Sequence, residues 1–224
     1  MPLIKNKQFF PCHRPLPKQV LLMCGFGGSI WQTRRLIHVL NRASYDVTAL
    51  DFSKTVLSSG DVSQLPQLVN EVTEFAENLA KNTAEPVLLV GISLGSLLAL
   101  NILRRSNMFT EGVLITGGDI AKIAQKLYPA KWPKSYAKLA EQWQDVNMYT
   151  SPDQLTGKRL LFVVHAGSKL IDPHDIYKEV ERQQTAGNHL ELIERNRFDH
   201  IGTIIIETMV LPQRALGYIA HVRR

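Results

Sequence analysis

Pro86-Val87-Leu88-Leu89-Val90-Gly91-Ile92-Ser93-Leu94-Gly95-Ser96-Leu97-Leu98-Ala99-Leu100 decides how this chain folds. Val87 to Val90 form a short apolar run opened by a proline, as a buried parallel strand should be. From Gly95 to residue 104 the chain carries Leu97, Leu98, Leu100, Ile102 and Leu103 with no further Pro or Gly, so a helix fits. Between the two sits a serine with glycine two residues before and two after it. A serine at such a strand-to-helix turn is a nucleophile elbow. The turn forces the serine into a strained backbone conformation and lifts its hydroxyl clear of the sheet. Neighbouring chains come so close that side chains at the flanking positions would clash, hence the glycines. The blander reading is a tight turn that happens to hold a small residue.

Working outward, apolar and amphipathic runs alternate. Strands are expected at 19–24, 46–52, 112–116, 159–165 and 190–194, besides the one before Ser93. Helices are expected at 30–41, 63–81, 172–184, 202–210 and 212–222. Leu65, Leu68, Val69, Val72, Phe75, Ala76 and Leu79 line one face of the longest of these. The pattern predicts an α/β fold: a mostly parallel central sheet with helices on both faces. The Gly-containing loops at 25–28, 91–95 and 117–118 all sit at strand carboxyl ends, where such sheets bind ligands. Residues 120–157 break the rhythm, with three prolines and the aromatics Tyr128, Trp132, Tyr136, Trp143 and Tyr149. They read as a small helical cap insertion within one domain spanning 1–224. Alternatively, their aromatics only pack the insertion onto the core.

Composition sets the bounds. A chain of 224 residues suits one domain with a sizeable core. No apolar run approaches ~18 residues, so no integral membrane association is expected. No apolar stretch follows the basic N-terminus, so a secretory signal is not expected. Cys12 and Cys24 are the only cysteines, which makes a reducing, cytoplasmic location the default. No Cys/His spacing suggests a metal. The formal charge is +6, but the basic residues are dispersed and no nucleic-acid motif accompanies them. Solvated basic faces are the expectation.

A serine hydroxyl needs a base to take its proton and a third group to orient that base. Of seven histidines, His200 is best placed, in Asp199-His200-Ile201-Gly202 after the final strand. A loop there returns to the carboxyl edge of the sheet. His165 ends a strand near the site and is the rival, read here as pocket wall beside Gly25, Gly27 and the cap's Trp132. The oxyanion of an ester transition state needs donors. The backbone N–H of Leu94 and that of Phe26, in the Gly25–Gly28 loop, are the expected pair.

Gly25-Phe26-Gly27-Gly28, Gly91-Ile92-Ser93-Leu94-Gly95 and Asp199-His200-Ile201-Gly202, in this order, resemble the α/β-hydrolase family from about Val20 to the C-terminus. The resemblance implies an eight-strand-type sheet, shortened here because little precedes Gln19, a Ser-acid-His triad and no cofactor. It also implies a serine hydrolase of the carboxylesterase or lipase kind, cleaving a small-molecule carboxylic ester or thioester through an acyl-enzyme on Ser93. Acyl transfer on the same fold and a non-catalytic binding module are the alternatives. The acid departs from the family pattern. In Ala166-Gly167-Ser168-Lys169-Leu170-Ile171-Asp172-Pro173, the usual Asp position falls on Ser168 or Lys169. Asp172 is the first choice, a few residues late, although it could equally cap the following helix. Asp119 is the alternative acid, and Asp175 or no acid at all stays open.

Overall fold

The computed structural model describes residues 2–14, 17–149, 155–195 and 199–222. The strands are β1 (Ile4–Phe10), β2 (Lys18–Met23), β3 (Tyr45–Phe52), β4 (Val87–Ile92), β5 (Glu111–Ile115), β6 (Arg159–His165) and β7 (His189–Arg195). The helices are α1 (Arg34–Arg42), α2 (Thr55–Ser58), α3 (Gln64–Lys81), α4 (Leu94–Arg105), α5 (Ile120–Leu127), α6 (Tyr136–Gln142), α7 (Pro173–Thr185), α8 (His200–Ile205) and α9 (Arg214–Val222). A 3₁₀ turn, Ile30–Thr33, leads into α1, and a π-helical turn, Ile206–Val210, continues α8.

The strands form one sheet in the order β1-β3-β2-β4-β5-β6-β7. Every pairing is parallel except β1 with β3. The carboxyl ends line up: Met23 pairs with Gly91, Ile92 with Ile115, and Ile115 with Val163. Alternation along each strand feeds two cores. Val20, Leu22, Val90 and Ile115 face α1 and α9, whereas Leu21, Met23, Leu89 and Leu114 face the layer that includes α3 and α4. Leu94 to Leu103 of α4 are all buried, which explains why that helix is apolar on every side. The expected α/β architecture is therefore the observed one.

One feature was not foreseen, and one falls to the alternative reading of the insertion's aromatics. The segment before Gln19 holds β1, which pairs antiparallel along β3 from Ile4–Phe52 to Phe10–Val47. Its sequence, IKNKQFF, is mostly exposed and carries no apolar run to announce a strand. The sheet thus has seven strands among the described residues, with its start filled. The second concerns the aromatics between β5 and β6. Trp132 and Trp143 are buried edge-to-face with ring centroids 4.9 Å apart. Their indole N–H groups donate to the carbonyls of Leu57 and Val62, at 2.8 and 2.9 Å. These rings pack their segment onto α2 and the start of α3.

Candidate active site

The turn after β4 holds Ser93 at φ 54°, ψ −113°, a left-handed conformation costly for a side-chain-bearing residue. Close packing over-determines it. A Cβ on Gly91 would sit 2.3 Å from the carbonyl oxygen of Gly95, and one on Gly95 would sit 2.1 Å from that of Met23. Backbone and side chain brace the turn from below. The Ser93 N–H donates to Ile115 O at 2.8 Å, and the buried Ser96 hydroxyl donates to Gly91 O at 2.9 Å. Leu94 opens α4, so its N–H has no intrahelical acceptor. Gly25, across the turn, approaches so closely that a Cβ there would lie 3.1 Å from Ser93 Cβ.

His200, the first residue of α8, meets the serine: its Nε2 lies 3.1 Å from Ser93 Oγ. The ring is buried, and burial pushes its pKa down to about 4, with the neighbouring charge of Asp199 opposing and that of His165 assisting. The Asp199 carboxylate itself accepts the Gly202 N–H at 2.6 Å, fastening the first turn of α8. For Nε2 to accept the serine proton, the ring's own proton must sit on Nδ1. Among the described residues, that buried Nδ1 has no hydrogen-bond partner.

The carboxylates named from sequence are occupied elsewhere. Asp119 caps α5, accepting the N–H groups of Ala121 and Lys122 at 2.9 and 3.2 Å. It also accepts the Asn147 amide at 2.8 Å and the Tyr136 hydroxyl at 2.5 Å. Asp172 caps α7 through the His174 N–H at 3.0 Å, and Asp175 pairs with Lys122 Nζ at 2.6 Å. None of these bonds reaches His200. What stands near His200 instead is His165, also buried. Its Nδ1 accepts the Gly167 N–H at 2.9 Å, so a neutral His165 carries its proton on Nε2, which has no partner among the described residues. Two ring N–H groups are donors only, and they cannot satisfy one another. Thr116, a β-branched residue at φ 54° where β5 ends, also has a buried Oγ1 with no partner among the described residues.

Ser93 and His200 open onto a cleft of about 340 Å³. Gly25, Phe26 and Gly27 are among its lining residues, and Trp132 and His165 are not. Trp132 is turned into the core by its bond to Leu57 O, and His165 is buried close enough to His200 to act on its charge. The walls that sequence reading missed are Ile123 and Leu127 of α5, Leu170, and Ile201, Ile204 and Ile205 of α8. A signal was present: the isoleucines at 201, 204 and 205 recur at helical spacing directly after the histidine. No Asp, Glu, Lys or Arg lines the cleft among the described residues. Cys24 lines it too, but burial pushes its thiol up to about 12. Among the described residues no cluster of three His, Cys, Asp or Glu is arranged to hold a metal ion. No helix there is long and apolar enough to cross a membrane.

Comparison with known proteins adds to this geometry. The family model described as serine aminopeptidase, S33, matches residues 15–205. No curated protein matches the chain. Among solved structures, the Francisella virulence factor BioJ is similar at 19% identity, covering 94% of this chain and 78% of its own, with a TM-score of 0.71. A Bacillus cereus carboxylesterase matches at 16% identity over 96% and 93% of the two chains, with a TM-score of 0.66. The Pyrococcus furiosus esterase Pf2001 matches at 19% identity over 96% and 86%, with a TM-score of 0.65. At these identities the structures show a shared fold, while the family model spans most of the sequence. The chain belongs to the serine aminopeptidase S33 family of hydrolases, built on the α/β-hydrolase fold.

Proposed function

We propose that the protein is a serine hydrolase that cleaves an uncharged carboxylic ester or thioester. The observation that carries the proposal is the strained Ser93 held 3.1 Å from His200 Nε2 at the floor of an open cleft. In this reading His200 Nε2 takes the hydroxyl proton as Ser93 Oγ attacks the acyl carbon. The N–H groups of Leu94 and Phe26 hold the oxyanion. The proton passes from Nε2 to the leaving alcohol or thiol, and water, deprotonated by the same nitrogen, releases the acid. The chain works as one domain, with residues 120–157 a small insertion whose α5 forms part of the cleft wall.

The walls of the cleft support an ester rather than a peptide with a free amino terminus. An aminopeptidase must hold an ammonium group, and burying one without a carboxylate partner is expensive. The cleft offers apolar side chains and no carboxylate among the described residues. A Ser93→Ala variant should lose hydrolysis of an aryl ester, and a fluorophosphonate probe should label Ser93 in the folded parent. Full activity in that variant overturns the proposal. His200 Nδ1, without a partner among the described residues, favours a second reading, a binding module that retains the fold without turnover. Failure of the probe to label folded protein would support that reading. Added alcohols or thiols that yield transfer product would make the reaction acyl transfer.

A further inference from the structure

Five of the eight large hydrophobic side chains exposed among the described residues gather at the mouth of this cleft. Leu127, Ile201 and Ile205 stand on its rim. Trp31 and Val210 extend the rim along a shallow groove that they share with Ile205 and Met209. Trp31 is 69% exposed and Ile201 62%. Single exposed apolar side chains are ordinary, but a cluster around the opening of an apolar cleft marks an interaction site. Cations stand beside the cluster. Arg34 and Arg35, both exposed, line the Trp31 groove, and no Asp or Glu does so among the described residues. Lys126, beside Leu127, reaches the carbonyl of Leu170, and the stem of Lys54 runs beside Gly27. The whole chain carries +6.

We propose that this rim docks on an anionic phospholipid bilayer, seating Trp31, Ile205 and Val210 at headgroup level so that the cleft opens toward lipid. Charge complementarity selects this occupant, because exposed Arg and Lys are drawn to anionic headgroups. The side-chain chemistry agrees: an amphipathic tryptophan ringed by aliphatic residues and cations is what a bilayer interface accommodates. The apolar residues project from separate segments around an opening, which suits a deformable lipid surface better than a shaped protein partner. The inference deepens the ester reading, since an uncharged apolar ester partitions into such a surface.

The chain supplies its own reporter. Of its three tryptophans, Trp132 and Trp143 are buried, leaving Trp31 as the solvent-exposed one. With phosphatidylglycerol-rich vesicles the full chain should co-sediment, and its emission should shift to the blue. Pure phosphatidylcholine vesicles or raised salt should weaken both effects. Trp31→Ser with Val210→Ser should lower vesicle affinity at least about tenfold. Arg34→Gln with Arg35→Gln should lower it about 30-fold on the anionic vesicles only. Hydrolysis of a soluble short-chain ester should be unchanged in both variants, since none of the four side chains lines the cleft. Absence of co-sedimentation at low salt, or parental affinity in the Trp31/Val210 variant, overturns the proposal. So does a concentration-dependent dimer with no vesicle binding, which would assign the rim to a second copy. A Ser93→Ala variant should bind vesicles like the parent, so loss of the ester reading and loss of the docking site are separately visible.

Discussion

The two sides of His200 are built in different ways. On the Ser93 side, backbone packs against backbone so tightly that Gly91 and Gly95 admit no Cβ, and hydrogen bonds from Ser93 N and Ser96 Oγ brace the turn. On the far side, His200 Nδ1 and His165 Nε2 are buried without hydrogen-bond partners among the described residues, while Asp119, Asp172 and Asp175 serve helix ends and a lysine. The contrast shows where the specificity of such a site resides. A nucleophile can be positioned by main-chain packing alone, whereas an orienting acid depends on a side chain that nearby helices also compete to use.

The largest expected effect tests the first side. Replacing Ser93 or His200 by Ala should cut kcat/KM for an aryl ester by about 10⁴-fold or more without moving the urea midpoint by much. A residual rate near the parent's would end the comparison, because the packed side would then carry no chemistry. Next, Gly95→Ala should destabilise the fold by about 3 kcal/mol, since its Cβ meets the fixed carbonyl of Met23. Urea denaturation measures this, and an unchanged midpoint would mean the elbow is looser than its contacts indicate.

The other side is sharpened by a pair of variants. Asp119→Ala should cost about 2 kcal/mol, through lost cap bonds and the lost hydrogen bonds from Asn147 and Tyr136, and Asp172→Ala about 1 kcal/mol. Neither should lower kcat of the folded enzyme by more than a few fold. A drop of about 10⁴-fold in either would identify it as the acid and erase the contrast. The smallest effect is a shift in pH dependence. His200 must be neutral to act as a base, so activity rises with pH as it deprotonates. Burial without a carboxylate partner places that acid limb near the depressed value of about 4. A limb in kcat/KM at or above the ordinary histidine value, near 6.5, would point to a carboxylate that reaches Nδ1 in solution.

Much of this was legible in the chain. The strand before Ser93 is uniformly buried, and so is β3, whose eight residues read as one apolar-rich run. Burial on both faces makes such strands visible to a reader of hydrophobicity alone. β1 was invisible for the opposite reason: Lys5, Asn6, Lys7 and Gln8 are exposed, and only pairing with β3 makes them a strand. Ser93 and His200 could be read because a turn and a chain order announce them. The role of an aspartate could not, since Asp119 looks the same in sequence whether it caps α5 or faces a histidine. Trp132 misled for a related reason: an aromatic in an inserted segment suits a pocket wall and a core equally, and its indole N–H found Leu57 O.

The strand order carries a consequence for how the protein fails. β4 is the central strand, with three neighbours on each side, while His200 follows β7, the outermost strand at the far edge. Amides at the middle of a sheet exchange with solvent only through large openings, whereas edges fray in small ones. The turn that holds the serine should therefore exchange slowly, and the segment that leads from β7 to its partner faster. On heating or in mild denaturant, the two should separate while the sheet is still intact, and inactivation should run ahead of unfolding.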